Sequence, residues 1–383
     1  DAEYSSQGLA VADADGDGRL DLYVTRTTAE SVFRRDFLMQ RGTAASYNEQ
    51  AESRGIKDAG DSRGVLFADI ESDGDLDLIN ANSPGRIRLY ENTGAGFFQE
   101  ITTASGLEAA SATTTALLAF DAEGDGDLDL YAVNSRSQNA FYLNRGDGRF
   151  QRVDHGANDV DEPAIPSEAA AAADFDNDGD VDIYIVKRGA ANKLFINNGA
   201  GYFTEGAAGA GLALNANCRG ALWADLDNDA DLDLLVAVSA STADPNPILR
   251  IYRNNGAGSF QDISATLNIP MSGFSVLAGD FDLDGDLDLI TTGESTTGAF
   301  YRNEGGMRFT PVRSTGAETA AGDVRSGAAF DGDDDGDLDF FLTRSDIFNV
   351  YRENTLARTG HYLKIDAAGP GGNASAFGTK LWC

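Results

Sequence analysis

Asp174–Asp182 reads DFDNDGDVD, with carboxylates at positions one, three, five and nine and Gly179 at position six. The pattern returns at Asp13–Asp21 (DADGDGRLD), Asp69–Asp77 (DIESDGDLD), Asp121–Asp129 (DAEGDGDLD), Asp225–Asp233 (DLDNDADLD), Asp280–Asp288 (DFDLDGDLD) and Asp331–Asp339 (DGDDDGDLD). Its first aspartates stand 51 to 56 residues apart. A chain of 383 residues would ordinarily divide into two or three domains, but seven regular repeats can close into one.

Each copy sits between two apolar runs. LAVA, VLFA, ALLAF, AAAAA, ALWA, SVLAG and GAAF precede the seven loops, and LYVT, LINAN, LYAVN, IYIVK, LLVAV, LITTG and FFLT follow them. Runs of four to six residues bounded by turn signals read as buried strands. A third segment carries an aromatic, an Asn, two glycines and a Phe, as in LFINNGAGYF (Leu194–Phe203) and IYRNNGAGSF (Ile251–Phe260). Asn and Gly accept positive φ, so this segment reads as a tight hairpin.

Four antiparallel strands repeated seven times predict an all-β, seven-bladed β-propeller over residues 1–366, with a tail over 367–383. The Ala- and Gly-rich first strand of each repeat fits the crowded axis. An open solenoid is the competing architecture, but the end repeats lack the polar caps it needs. His361–Asp366 (HYLKID) is the candidate fourth strand of the last blade, and closure would rest on packing between repeats one and seven.

The net charge of −33 is local. More than half of the 62 acidic residues lie in the seven loops, which hold one base, Arg19; elsewhere acids and bases nearly balance. No basic stripe offers to release phosphate counterions, so nucleic acid is not an expected partner. No apolar run is long enough to span a membrane, and no signal peptide is visible. Cys218 and Cys383 do not make a disulfide framework; two unpaired thiols is the plainer reading, and a pairing of the two is the alternative.

Clustered carboxylates make sense around a hard divalent cation. Calcium takes six to eight oxygens in a flexible geometry, whereas magnesium keeps more water. The candidate side-chain ligands are, at position one, Asp13, Asp69, Asp121, Asp174, Asp225, Asp280 and Asp331; at three, Asp15, Glu71, Glu123, Asp176, Asp227, Asp282 and Asp333; at five, Asp17, Asp73, Asp125, Asp178, Asp229, Asp284 and Asp335; and at nine, Asp21, Asp77, Asp129, Asp182, Asp233, Asp288 and Asp339. Position seven (Arg19, Asp75, Asp127, Asp180, Asp231, Asp286, Asp337) would offer its backbone carbonyl. An EF-hand needs a Glu at position twelve and flanking helices. Here position twelve is Val24, Asn80, Ala132, Ile185, Val236, Thr291 or Leu342, between strands. The expectation is about seven Ca²⁺, one per blade, in a structural role. Ala230 replaces Gly at position six of the fifth loop and would weaken or re-bend it, and Glu71 and Glu123 would bind less tightly or through water.

These loops and hairpins resemble FG-GAP/VCBS repeats, the propeller repeats also found in integrin α-subunits. The resemblance covers Ala10 to Asn354 and implies calcium in each loop, a secreted, extracellular or periplasmic setting, and a binding role. Residues from Asn354 through GHYLKIDAAGPGGNASAFGTKL (Gly360–Leu381) resemble the opening of the ASPIC/UnbV segment of cartilage-acidic-protein-like sequences.

The face opposite the loops is the candidate binding surface. Its loops are long at Thr25–Arg35, His155–Ser167 and Ser239–Pro247, and variable loops on rigid scaffolds carry function. Six residues before each first Asp stand Gln7, Arg63, Thr115, Glu168, Arg219, Phe274 and Arg325, at the start of the strand nearest the axis. Arg63, Arg219 and Arg325 would converge on a channel mouth, joined by Arg26, Arg136, Lys187, Arg188 and Arg344. Such a basic mouth suits a carboxylated or sulfated glycan or an acidic loop of an extracellular protein. The plainer reading pairs these arginines with Asp61, Glu168 and Asp323 as structural ion pairs. Arg145-Gly146-Asp147 sits inside a hairpin turn, where such residues are expected anyway, and Asn373-Ala374-Ser375 fits a glycosylation triplet. His155 and His361 lie far apart in the repeat scheme, and no nucleophile, phosphate-loop or zinc motif occurs. A monomeric, non-enzymatic interaction module is the expectation. A polysaccharide lyase working at the mouth is the alternative.

Overall fold

A computed structural model describes residues 5–27, 35–42, 46–58, 60–82, 85–107, 113–153, 166–294, 298–312, 323–345 and 348–356, with 360 and 362. Half of the chain is strand. The described strands form six antiparallel sheets: four of four strands, one of eight and one of three. Each repeat runs as predicted, its acidic loop joining a first and a second strand, as Ser62–Ala68 to Asp77–Asn82 or Val324–Phe330 to Asp339–Arg344. A third strand follows, as Ile87–Asn92, and the hairpin leads to a short fourth, Phe98–Glu100.

The sheets number six because repeats four and five share one. The second strand of repeat four, Asp182–Ala191, runs ten residues, and its end pairs with the first strand of repeat five, Ala190 opposite Ala216 and Ala191 opposite Asn215. Among the described residues repeat seven shows three strands, ending at Val350–Arg352. The predicted strand His361–Asp366 lies outside the described residues apart from Tyr362. Helix-period patterns are nearly absent from the sequence, and single helical turns follow the fourth strands of repeats two, four and five, at Thr102–Ser105, Ala207–Ala210 and Ser264–Leu267.

The first strands of successive repeats pack side by side, and that of repeat seven packs on that of repeat one, so the circuit closes. The core lies between neighbouring sheets. Phe120, Tyr131 and Phe141 of repeat three meet Ile183, Ile185 and Phe203 of repeat four, and each neighbouring pair of repeats has such a seam. Second strands such as Asp129–Asn134 and Asp233–Val238 are buried at every residue because sheets cover both their faces. This explains continuous apolar runs in place of period-two alternation. The seam of repeats seven and one has the fewest fully buried residues, Leu22, Val24 and Phe330, ringed by half-buried Val11, Met39, Phe341 and Tyr351.

A recurrent latch ties repeats together. In repeats two to seven an Asn at or just past the end of the third strand donates through Nδ2 to the position-two carbonyl of the preceding loop: Asn92 to Ala14 (2.9 Å), Asn144 to Ile70 (2.8 Å), Asn197 to Ala122 (2.9 Å), Asn254 to Phe175 (2.8 Å), Asn303 to Leu226 (3.0 Å) and Asn354 to Phe281 (2.7 Å). Repeat one has Arg41 at this place. Its buried guanidinium reaches Asp334 of the seventh loop at 3.1 Å, so an ion pair replaces the amide latch at the closure.

Candidate functional site

All seven acidic loops share one hydrogen-bond scheme. The position-one carboxylate accepts from the amides of positions five and six, as Asp13 does from Asp17 (3.0 Å) and Gly18 (2.7 Å). Position five accepts from the amide of position seven, as Asp178 does from Asp180 at 3.0 Å. Position nine is buried at the head of the second strand and accepts from the amide of its own hairpin's Asn, as Asp77 does from Asn92 at 2.8 Å. In repeat one it accepts from Arg41 at 2.8 Å.

Position three is left over. Asp15 Oδ1, Glu71 Oε2, Glu123 Oε2, Asp176 Oδ1 and Asp227 Oδ1 are buried with no hydrogen-bond partner. A buried carboxylate oxygen with no donor is costly, and a hard cation is the partner that fits it. In five loops three carboxylates bring oxygens within 4.8 Å of one another: Asp13, Asp15 and Asp17; Asp174, Asp176 and Asp182; Asp225, Asp227 and Asp229; Asp280, Asp282 and Asp288; Asp331, Asp333 and Asp335. Crowding and burial act together on acidity. Burial, with Asp176 and Asp178 nearby, pushes Asp182 up to about 8, and Asp233 and Asp288 rise to about 7 by the same causes. Burial and the neighbouring carboxylates thus both favour the protonated form at position nine.

The two Glu loops differ. Among the described residues neither holds a three-carboxylate cluster. The longer side chain reaches position nine instead, Glu71 meeting Asp77 and Glu123 meeting Asp129, and burial together with that contact raises both aspartates well above the carboxylate range. Loop five, by contrast, keeps its bend. Ala230 adopts φ +76°, its amide donates to Asp225 at 2.9 Å, and the cluster forms. Position four is left-handed in every loop, at Gly16, Ser72, Gly124, Asn177, Asn228, Leu283 and Asp334, a requirement the sequence reading missed. The Gly, Asn and Asp found there were the available signal. Position-seven side chains join none of the clusters; Asp231 accepts from Asn177 and Asp286 from Asn228, each at 2.8 Å, bonding one loop to the next.

At the other end of the first strands, Gln7, Arg63, Thr115, Glu168, Arg219, Phe274 and Arg325 all line one cavity of about 630 Å³. Arg136 and Arg188 join them. Arg26, Lys187 and Arg344 do not. They are buried within second strands, where neighbouring sheets cover both faces. The lining thus sets five arginines against Asp61 and Glu168. Glu168 takes Arg188 at 3.2 Å and Arg219 at 3.4 Å, and Asp323 takes Arg325 at 2.7 Å, whereas Arg63 is exposed with no ion pair among the described residues. Arg145-Gly146-Asp147 forms a hairpin turn on the loop face, Gly146 at φ +75° against Asp127. Cys218 is a buried thiol, free among the described residues and pushed up to about 11 by burial. His155, His361, Asn373 and Cys383 lie outside the described residues.

Fold and loops together define a repeat protein of propeller-like architecture, pinned by acidic loops. The chain belongs to the FG-GAP-like repeat family, whose model matches residues 69–132, 121–185, 174–236, 237–291 and 280–342. It is 27% identical over 335 residues to cartilage acidic protein 1 of Homo sapiens, which covers 77% of this chain and 48% of that protein, so the chain spans about half the length of the curated relative it matches. Among solved structures it resembles BBS1N in complex with ARL6DN (TM-score 0.55, 14% identity, 92% and 94% of the two chains) and YCF48 from Cyanidioschyzon merolae (TM-score 0.54, 9% identity, 90% and 94%). These structural likenesses carry the fold.

Proposed function

We propose that this chain is a seven-bladed, calcium-stabilised extracellular scaffold that binds a glycan or a protein on the face opposite its acidic loops. Calcium is the cation that suits oxygen-only loops with orphaned carboxylate oxygens at position three. It would supply local positive charge, while the chain's own amides orient the carboxylates. Seven latched repeats whose first strands close a circuit support a count of seven blades, blades four and five then sharing a sheet. The family resemblance favours an extracellular setting, and no helix among the described residues is long and apolar enough to cross a membrane.

The observation that carries the binding role is the arginine-lined cavity in a chain of net charge −33. Its volume lies in the range of ligand sites, roughly 300–1,000 Å³. A partner on this face would leave the acidic loops untouched, and the structural neighbour BBS1N was solved in complex with ARL6DN. Binding without turnover is the favoured role. Among the described residues the lining has no His, Cys or Tyr, and Glu168 is held by two arginines. The test is a panel of extracellular proteins and glycans probed with the calcium-loaded chain, with turnover assayed on acidic polysaccharides. Binding reduced by charge removal at Arg63, Arg219 and Arg325 supports the reading. Binding indifferent to those changes, or polysaccharide cleavage, contradicts it.

A further inference from the structure

In six repeats the first strand carries a bulge at one place. The register skips a residue between Ser62 and Gly64, Thr114 and Ala116, Ser167 and Ala169, Cys218 and Gly220, and Val324 and Ser326, and shifts between Ser6 and Leu9. The residues set out of register are Arg63, Thr115, Glu168, Arg219 and Arg325, with Gln7 in the first repeat, and every one of them lines the cavity. A bulge re-aims a side chain at the expense of pairing. Six at equivalent places build a ring of displayed side chains.

Within the ring, Phe274 organises two arginines. The guanidinium carbons of Arg219 and Arg325 lie 4.9 Å and 4.1 Å from its ring centroid. Stacking fixes the planar forks in place. Ser345 Oγ accepts from Arg325 Nε at 3.1 Å, while Arg219 Nε is buried without a hydrogen-bond partner. Arg63 and Arg136 are exposed and carry no ion pair among the described residues. The remaining lining is rich in hydroxyls, with Thr113, Thr115, Ser135, Ser275 and Ser326. Among the described residues Phe274 is the one aromatic of the lining, and the arginines occupy it, so the described lining offers no platform to a neutral sugar or an apolar side chain.

We propose that the cavity binds a saccharide carrying carboxylate or sulfate groups, one such group held by Arg219 and Arg325 across Phe274 and a second by Arg63 and Arg136. Hydroxyls of the lining meet hydroxyls of the sugar, and the forked donors meet its anionic oxygens. This rests on the reading of the cavity face as the binding face and names the ligand class for it.

The test titrates the calcium-loaded chain with heparin-derived oligosaccharides, oligogalacturonates, neutral cello-oligosaccharides and a poly-glutamate peptide, followed by calorimetry. Saturable binding of the sulfated or the uronate series, with neutral sugars silent, is expected; which series binds tells sulfate from carboxylate. Arg219→Gln with Arg325→Gln should weaken it roughly a hundredfold, two charge-assisted contacts being lost. Phe274→Leu keeps both charges and should weaken it about tenfold by freeing the forks. That variant also decides the matter if the double variant does not fold. Tighter binding of poly-glutamate, or oligosaccharide binding unchanged in both variants, overturns the proposal. If no saccharide binds while an extracellular protein does and is lost in the double variant, the saccharide inference falls and the scaffold reading stands.

Discussion

At the scale of single residues, the acidic loop is a backbone problem before it is a metal problem. Positions four and six both need positive φ, and a non-glycine residue there costs roughly 1 kcal/mol. Ala230 at φ +76° carries that cost in loop five without losing the carboxylate cluster. Ala230→Gly should therefore raise stability by about 1 kcal/mol in calcium, read as a shift in urea midpoint at constant slope. An unchanged or lower midpoint would mean the loop is not strained there. A second residue effect lies away from the loops. Asp36 is buried and accepts from Tyr23 Oη (3.1 Å), Arg26 N (2.7 Å) and Asn80 Nδ2 (2.7 Å). Burial, with Asp58 nearby, pushes it up to about 7 from 3.8. A raised acid binds its proton more tightly folded than unfolded, so its penalty is absent below pH 4 and grows as pH rises to 7. Relative to Asp36→Asn, the wild-type chain should lose a few kcal/mol across that window in calcium-saturated denaturation curves. Parallel curves would show that Asp36 stays charged throughout.

At the scale of elements, much of the fold is legible in the sequence because its signals are local. Paired apolar runs, acidic loops and Asn-Gly hairpins mark every strand boundary that matters. The hairpin Asn reads only as a turn former, because its second role, donating to the preceding loop's carbonyl, is a contact across about 75 residues of chain. The ten-residue strand Asp182–Ala191 is hidden likewise, since its extra pairing partner belongs to the next repeat. The cavity ring is legible by position, as residues six before each loop; the bulges that aim those residues are not, because a register shift leaves no compositional mark. The closure is where repeats one and seven break the pattern. Arg41→Ala should cost about 1–3 kcal/mol and speed amide exchange in Ser5–Ala12 and Val324–Phe330 together. Asn197→Ala should cost a similar amount but leave those two strands protected. Equal exchange in the two variants would mean the Arg41–Asp334 pair holds no special seam.

At the scale of the whole molecule, charge is sorted by face. The loops hold most of the acid at one end of the first strands, and the arginine cavity lies at the other. The two faces should answer salt in opposite ways. With calcium stripped, added salt should raise the melting temperature by screening the loops, whereas anion binding at the cavity should weaken. Loss of stability with salt in the stripped chain would place the dominant repulsion elsewhere. The central claim is that the acidic loops are cation seats that hold the ring shut. Titrating the metal-stripped chain with calcium by calorimetry, with its melting temperature followed in parallel, tests this most directly. The account predicts saturable uptake led by the five loops whose carboxylates already converge, with the Glu71 and Glu123 loops weaker, and a rise of well over about 10 °C. No calcium uptake, or uptake that leaves the melting temperature where it was, would contradict it.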